Sequence, residues 1–195
     1  MAYQSKPATA DTPIHRLIAD RWSPYSISEK PLSVSEIASL FEAARWAPSS
    51  FNEQPWRYVY AETGNPNRAK LDALLVEGNA WAKGAGLLIV SFSRKTFTYN
   101  GKENRHALHD LGAASYSLCL QAASMGLVTH QMAGFAADKA NAALGVPQDY
   151  VPGSMIAVGY PGDLKTLAPE LKKRDDAPRS RNAVKTFAFD GTWKL

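Results

Sequence analysis

The residues able to do chemistry fall into three short clusters. Near the start, RWSPYS places Arg21 two residues before Ser23, with Trp22 between them and Tyr25 beyond the proline. A guanidinium fork beside a hydroxyl and free loop N–H groups makes a cradle for an anion such as a phosphate. Arg179 and Arg181 repeat that spacing far down the chain, so this basic pair and the Arg21–Ser23 element can close on one anion from both sides. The third cluster is APSSFNEQPW, which holds Pro48, Ser49, Ser50, Asn52 and Gln54. Its two carboxamides each carry a donor and an acceptor, and the prolines narrow the backbone around them.

That mixture of donors and acceptors suits the edge of a flat heterocycle such as an isoalloxazine, with Ser49 and Ser50 supplying hydroxyl or backbone groups to a polyol chain or a phosphate. A capped helix end with Asx turns uses the same residues, and local sequence leaves both readings open. Other chemistries lack their signals. There is no P-loop, no G-x-S-x-G elbow and no G-x-G-x-x-G between a strand and a helix. Glu103, His106 and His109 form half of a carboxylate-bridged di-iron motif, but no second copy follows, and polar residues at a helix start explain them. Cys119 sits among Leu118, Leu120 and Ala122 and reads as a buried, inert thiol.

The chain that must position these clusters has 195 residues, 45% hydrophobic and 21% charged, with a net charge of +4. One short basic run beside Asp175 and Asp176 is not the one-faced stripe that nucleic acid requires. The N-terminal stretch MAYQSKPATADTP has no apolar signal-peptide core, no run of about 18 apolar residues occurs, and the single cysteine fits a reducing compartment. The expectation is a soluble cytoplasmic protein that binds neither nucleic acid nor membrane.

Residues 1–12 read as a flexible polar arm, and residues 13–195 as one domain with an extension from about 163 to 195. Helices are expected from Pro13 to Asp20, from a Ser33/Glu36 capping box to Ala47, from Asn65-Pro66 to Gly78, from Asn104 to Met125, and over ADKANAALG. The long helix carries an expected inner stripe of Leu108, Leu111, Ser115, Leu118, Ala122 and Met125. RYVYA, GLLIVSF, LVTHQM and SMIAVGYPG read as strands. The tail lacks a strong period, although FAFDGTW alternates like a strand. A tail of that length is expected to pack on something, such as a second subunit.

Taken together, RWS, APSSFNEQPW, GAASYSLCLQAASMGL and QMAGF resemble the nitroreductase family over about Arg16 to Trp193. The resemblance implies an α+β, three-layer fold: a central mixed, mostly antiparallel sheet flanked by helices, with the C-terminal arm exchanged in a homodimer. It implies an FMN-dependent oxidoreductase that takes a hydride from NAD(P)H at flavin N5 and passes it, ping-pong, to a flat nitroaromatic or quinone. No catalytic side chain is implied, and no metal. Arg21, Trp22 and Ser23 match the family element that holds the FMN phosphate and ribityl chain. Tyr25 stands where many members have a second cation, so either Arg179 and Arg181 carry more of the phosphate or FMN binds less tightly. Pro48, Ser49, Ser50 and Asn52 match the loop along the flavin, with Gln54 close by, often on the partner-subunit side. Gln131, Met132, Ala133 and Gly134 match the loop over the ring, where the Ala133 N–H faces N5 and Gly134 permits close approach. Asn79 corresponds to a position that contacts the ring in some members. Trp81, Phe97, Tyr99 and Phe135 are candidates for stacking on the acceptor, with the core as their ordinary alternative. A flavin-binding or flavin-processing protein, or a dimeric scaffold without external-acceptor turnover, is the competing reading.

Overall fold

The protein is described by a computed structural model over residues 6–193. Four strands form its sheet: β1 (Trp56–Glu62), β2 (Leu87–Arg94), β3 (Val128–Met132) and β4 (Tyr150–Gly159). They lie in the order β1-β2-β4-β3, and every pairing is antiparallel. The register sets Val59 opposite Val90 and Ile89 opposite Ile156. It slips between Val90 and Phe92, where Ser91 Oγ instead accepts from the Ser154 N–H at 2.9 Å.

The sheet is covered on both faces, which explains the continuous apolar run of β2. Leu87 and Ile89 join Ile37, Leu40, Leu111, Leu118 and Ile156 in one core. Leu88, Val90 and Phe92 point the other way, into a second core with Leu71, Leu74, Met132, Phe135 and Met155. This is the period-2 alternation of a strand buried on both sides. Each fully buried side chain of this size contributes about 1.5–3 kcal/mol, so β2 anchors both layers.

The first layer consists of α2 (Val34–Arg45) and α4 (Ala107–Ser124). At the start of α2 the Ser33 Oγ accepts the Glu36 N–H, and Glu36 in turn accepts from the Ser33 N–H. The side chain and backbone of Ser33 and the Tyr160 hydroxyl hold the Glu36 carboxyl below the usual range. On α4, Ala107, Asp110, Leu111, Ala114, Ser115, Leu118, Cys119 and Ala122 face inward. Leu108 does not: it is 53% exposed, because it falls in the first turn at the edge of the stripe. The other face carries α3 (Arg68–Asp72), a 3-10 segment over Glu77–Gly84 and α5 (Ala137–Leu144), while a short α1 (Arg16–Asp20) packs against α4 just before the cradle.

Two expectations for the tail are corrected. A helix that the sequence period did not reveal, α6 (Pro169–Asp176), opens with proline at its first turn. FAFDGTW forms no strand: a 3-10 turn over Val184–Thr186 precedes it, and no neighbouring strand pairs with it among the described residues. A strand without a partner leaves its backbone groups to water. Of the expected polar arm, residues 1–5 lie outside the described residues. Further on, the Ala8 N–H donates to Ala19 O at 2.8 Å, and Lys6 Nζ donates to Ala177 O at 2.9 Å. Among the described residues no helix is long and apolar enough to cross a membrane.

Candidate functional site

Three distant segments meet around Arg21. A cavity of about 240 Å³ is lined by Arg21, Trp22, Ser23 and Tyr25 together with Lys6 and Arg174, Asp175, Arg179 and Arg181. Arg21 Nη1 donates to Ser23 Oγ at 3.3 Å, which fixes the fork beside the hydroxyl. The two tail arginines divide their work. Arg179 donates to the carbonyls of Lys6, Ala19 and Arg21, so it clamps the backbone of the cradle. Arg181 is exposed and donates to Ser180 O.

Lys6 and Arg174 were not legible as site residues, because nothing in the local sequence says that the N-terminal arm and α6 converge here. They add two cations to the lining of the cavity beside Tyr25. The Tyr25 ring lies 5.0 Å from Trp81 and 4.9 Å from His130, and those two rings are 4.8 Å apart. His130 Nδ1 pairs with Pro24 O at 3.0 Å; a carbonyl only accepts, so Nδ1 carries the proton. Burial pushes the His130 pKa down, against the Pro24 hydrogen bond and Asp175, which raise it. Asp175, 2% exposed, accepts the Tyr25 N–H at 2.9 Å. Burial raises its carboxyl above the usual range, opposed by the Tyr25 and Ser26 N–H groups, Lys6 and His130.

The second region is the loop after α2. Phe51, Asn52 and Gln54 all have positive φ, at 52°, 55° and 51°. The left-handed region costs a non-glycine residue about 1–2 kcal/mol, and such strain persists only where neighbours enforce it. Here they do. The Ser50 N–H donates to the buried Asp110 carboxylate at 3.0 Å, and the Gln54 N–H donates to Ser49 Oγ at 3.0 Å. Gln54 Nε2 closes on Asn52 O at 3.0 Å, and Glu53 accepts from the N–H and hydroxyl of Thr98. The Asn52 side chain, in contrast, makes no hydrogen bond among the described residues. Phe51 is 80% exposed beside Phe97 and Tyr99, at ring distances of 5.8 and 6.0 Å.

The structure does not bring this loop to the cradle. Asp110 holds the loop near the start of α4. Arg21 and Trp22 instead line a small cavity with Cys119, Ala123 and Gly126 at the far end of that helix. Thirteen helical residues separate Asp110 from Ala123, about 20 Å at 1.5 Å per residue.

The QMAGF segment lies at the end of β3. Met132 is buried in the second core, which leaves only its backbone for a ligand, whereas Ala133 is exposed and its N–H has no hydrogen-bond acceptor among the described residues. Gln131 bridges Cys119 Sγ and the Ser154 hydroxyl. Burial raises the Cys119 pKa. The need for glycine at 134 has a local origin: a Cβ there would come 2.7 Å from Asn79 Nδ2, which donates to Gly134 O at 2.7 Å. Asn79 and Gly134 thus form one unit. Among the acceptor-stacking candidates, Phe135 is core, Trp81 packs on Tyr25, and Phe97 and Tyr99 join the loop. Among the described residues no cluster of three or more His, Cys, Asp or Glu side chains could hold a metal ion.

Comparison with known proteins gives the same family along most of the chain. Residues 18–80 and 66–160 match the nitroreductase family. An uncharacterized 15.4 kDa protein in the ask 5′ region of Mycolicibacterium smegmatis is 35% identical over 133 residues, 68% of this chain and 88% of that protein. A crystal structure of an oxidoreductase containing FMN superposes with a TM-score of 0.92 at 32% identity, over 100% of this chain and 99% of that one. A Desulfovibrio desulfuricans protein solved in complex with FMN shares the fold at a TM-score of 0.71 and 21% identity, over 95% of this chain and 100% of its own. The chain belongs to the nitroreductase family.

Proposed function

We propose that this protein is an FMN-dependent oxidoreductase that works as a homodimer, with residues 13–195 forming one flavin-binding domain. The observation that carries the reading is the cavity around Arg21, where five cationic side chains, with Ser23, Tyr25 and Asp175, surround a space of about 240 Å³ from three segments. That volume is below the roughly 300–1,000 Å³ of pockets that enclose a whole ligand. It suits a phosphate and the adjoining polyol, with the ring lying outside it.

Arg21, Ser23 and Arg181 would bind the phosphate with Lys6 and Arg174, while Arg179 and Asp175 position the backbone. Asn52 and Gln54, held on a strained loop, would address the ring edge. Because that loop sits about 20 Å along α4 from the cradle, each site takes its loop from one protomer and its cradle from the partner. The exposed Val184, Phe187 and Trp193 of the tail favour an arm exchanged between the two copies. The Ala133 N–H, exposed and without an acceptor, is placed to donate to the ring, and Asn79 fixes the turn behind it. Bound FMN would supply two-electron chemistry, accepting a hydride from NAD(P)H and delivering it to a flat acceptor such as a nitroaromatic or quinone. Hydride transfer needs no side-chain acid or base, so the protein contributes orientation and electrostatics.

The test is the visible spectrum of the purified protein, before and after anaerobic NADH or NADPH. A flavin spectrum that bleaches, then recovers over repeated turnovers of a nitro compound or quinone, is expected. A protein that stays colourless and takes up no added FMN would overturn the reading.

A further inference from the structure

The 3-10 segment over Glu77–Gly84 touches both halves of the site through one side chain, Trp81. The Trp81 ring packs edge-on against Tyr25, on the wall of the cradle, at 5.0 Å, and lies 4.8 Å from His130 on β3. Its indole also reaches the QMAGF turn. Trp81 Nε1 donates to Asn79 Oδ1 at 3.3 Å, and Asn79 Nδ2 donates to Gly134 O at 2.7 Å. An indole N–H only donates and a carbonyl only accepts, so both partners demand the same orientation of the Asn79 amide. The far end of the segment is pinned as well. The buried Arg68 donates to Lys83 O at 3.0 Å and to Ala85 O at 2.9 Å, while its Nε pairs with Asp72 at 3.0 Å.

We propose that Trp81 is a positioning residue that holds the turn at Ala133–Gly134 in register with the cradle around Arg21. It packs on Tyr25 on one side and orients the Asn79 amide on the other. The inference rests on the FMN reading for what the two halves bind, since one flavin phosphate would reach from the cradle to the turn. Two contacts to one ligand reinforce each other only while their spacing is fixed, because the second then forms at a high effective concentration. Loosening the register therefore costs a ligand that spans both halves more than one that reaches the turn alone.

Trp81→Phe keeps an aromatic ring beside Tyr25 and His130 but removes the indole N–H. The Phe135 and Ala136 N–H groups close the turn onto Ala133 O and Leu74 O. In flavin-free protein their hydrogen exchange, measured relative to the amides of β2, should quicken about two- to tenfold, the equivalent of one neutral hydrogen bond. Asn79→Ala should do the same, and adding Trp81→Phe to it should change nothing further, because the two act through one amide. In fluorescence titrations Trp81→Phe should weaken FMN about two- to tenfold more than riboflavin, which lacks the phosphate. Unchanged exchange, additive effects of the two substitutions, or equal losses for FMN and riboflavin would each overturn the proposal. Should Trp81→Phe not fold, Tyr25→Leu removes the ring on the cradle side and should quicken the same two amides; no change there would overturn it. A protein that shows the exchange changes but binds neither flavin would contradict the cofactor reading and leave the positioning role standing.

Discussion

Around Arg21 the chain gathers charge from three distant segments, whereas between Ser49 and Gln54 it holds strain within six consecutive residues. The cradle is held by long-range contacts: Lys6 to Ala177, Arg179 to three carbonyls, Asp175 to Tyr25. The loop is held mainly by its own hydrogen bonds, with Asp110 and Thr98 as outside supports. A cradle crowded with cations needs a ligand to relieve its repulsion. A loop fixed by local bonds is already in its working shape, so binding costs it little further entropy. The two regions should therefore respond differently to mutation.

The largest effect is expected in the cradle. Arg21→Ala should weaken FMN binding by about 1.5–3 kcal/mol, the range for a hydrogen bond to a charged group, with little change in the melting temperature. Flavin fluorescence titration checks it, and an unchanged affinity would remove Arg21 from the phosphate site. Next is Gly134→Val, which forces a side chain against the Asn79 amide and should destabilise the fold by about 1–3 kcal/mol, the usual cost of overpacking. Urea denaturation measures that, and a neutral result would break the link between Asn79 and Gly134. In the strained loop the sign reverses. Phe51→Gly relieves a left-handed residue, with a net gain of up to about 1 kcal/mol once the entropy of glycine is subtracted. A clear loss in the same urea experiment would show that the Phe51 ring contacts outweigh the strain.

The smallest effect concerns pH. Burial lowers the His130 pKa in the folded state, so below about pH 6.5 the unfolded chain binds a proton that the folded one does not. Stability should fall as pH drops through that value, by no more than about 1.4 kcal/mol per unit for one proton. His130→Phe should flatten the slope of melting temperature between pH 7.5 and 5.5. The raised Asp175 carboxyl has the opposite sign, since the folded state keeps its proton longer and loses stability as pH rises from the ordinary carboxylate range.

What was legible in the sequence follows from how far its causes reach along the chain. The capping box of α2, the apolar run of β2 and the stop at Gly126 are local signals, and the elements they mark are present. The lining of the Arg21 cavity was half legible: Arg21, Ser23, Arg179 and Arg181 stand out by spacing, but Lys6, Arg174 and Asp175 join that lining only when the arm and α6 fold back. The left-handed turn at Asn52 is one that asparagine tolerates, whereas Phe51 and Gln54 adopt it only because Asp110 and Ser49 compel them. FAFDGTW shows the converse. Its alternation is that of a strand, but alternation does not create a partner, and none is there among the described residues.

We propose that each flavin is held by the cradle of one protomer and the loop of the other. It is tested most directly by a hybrid dimer of Arg21→Ala and Asn52→Ala chains carrying different tags. Each parent homodimer is impaired at both sites. If sites are shared across the dimer, the hybrid contains one site with both defects and one with neither, so FMN titration should recover one site of wild-type affinity per hybrid. If each protomer built its own site, both sites of the hybrid would keep one defect each. No wild-type affinity would return, and a flavin shared between protomers would be ruled out.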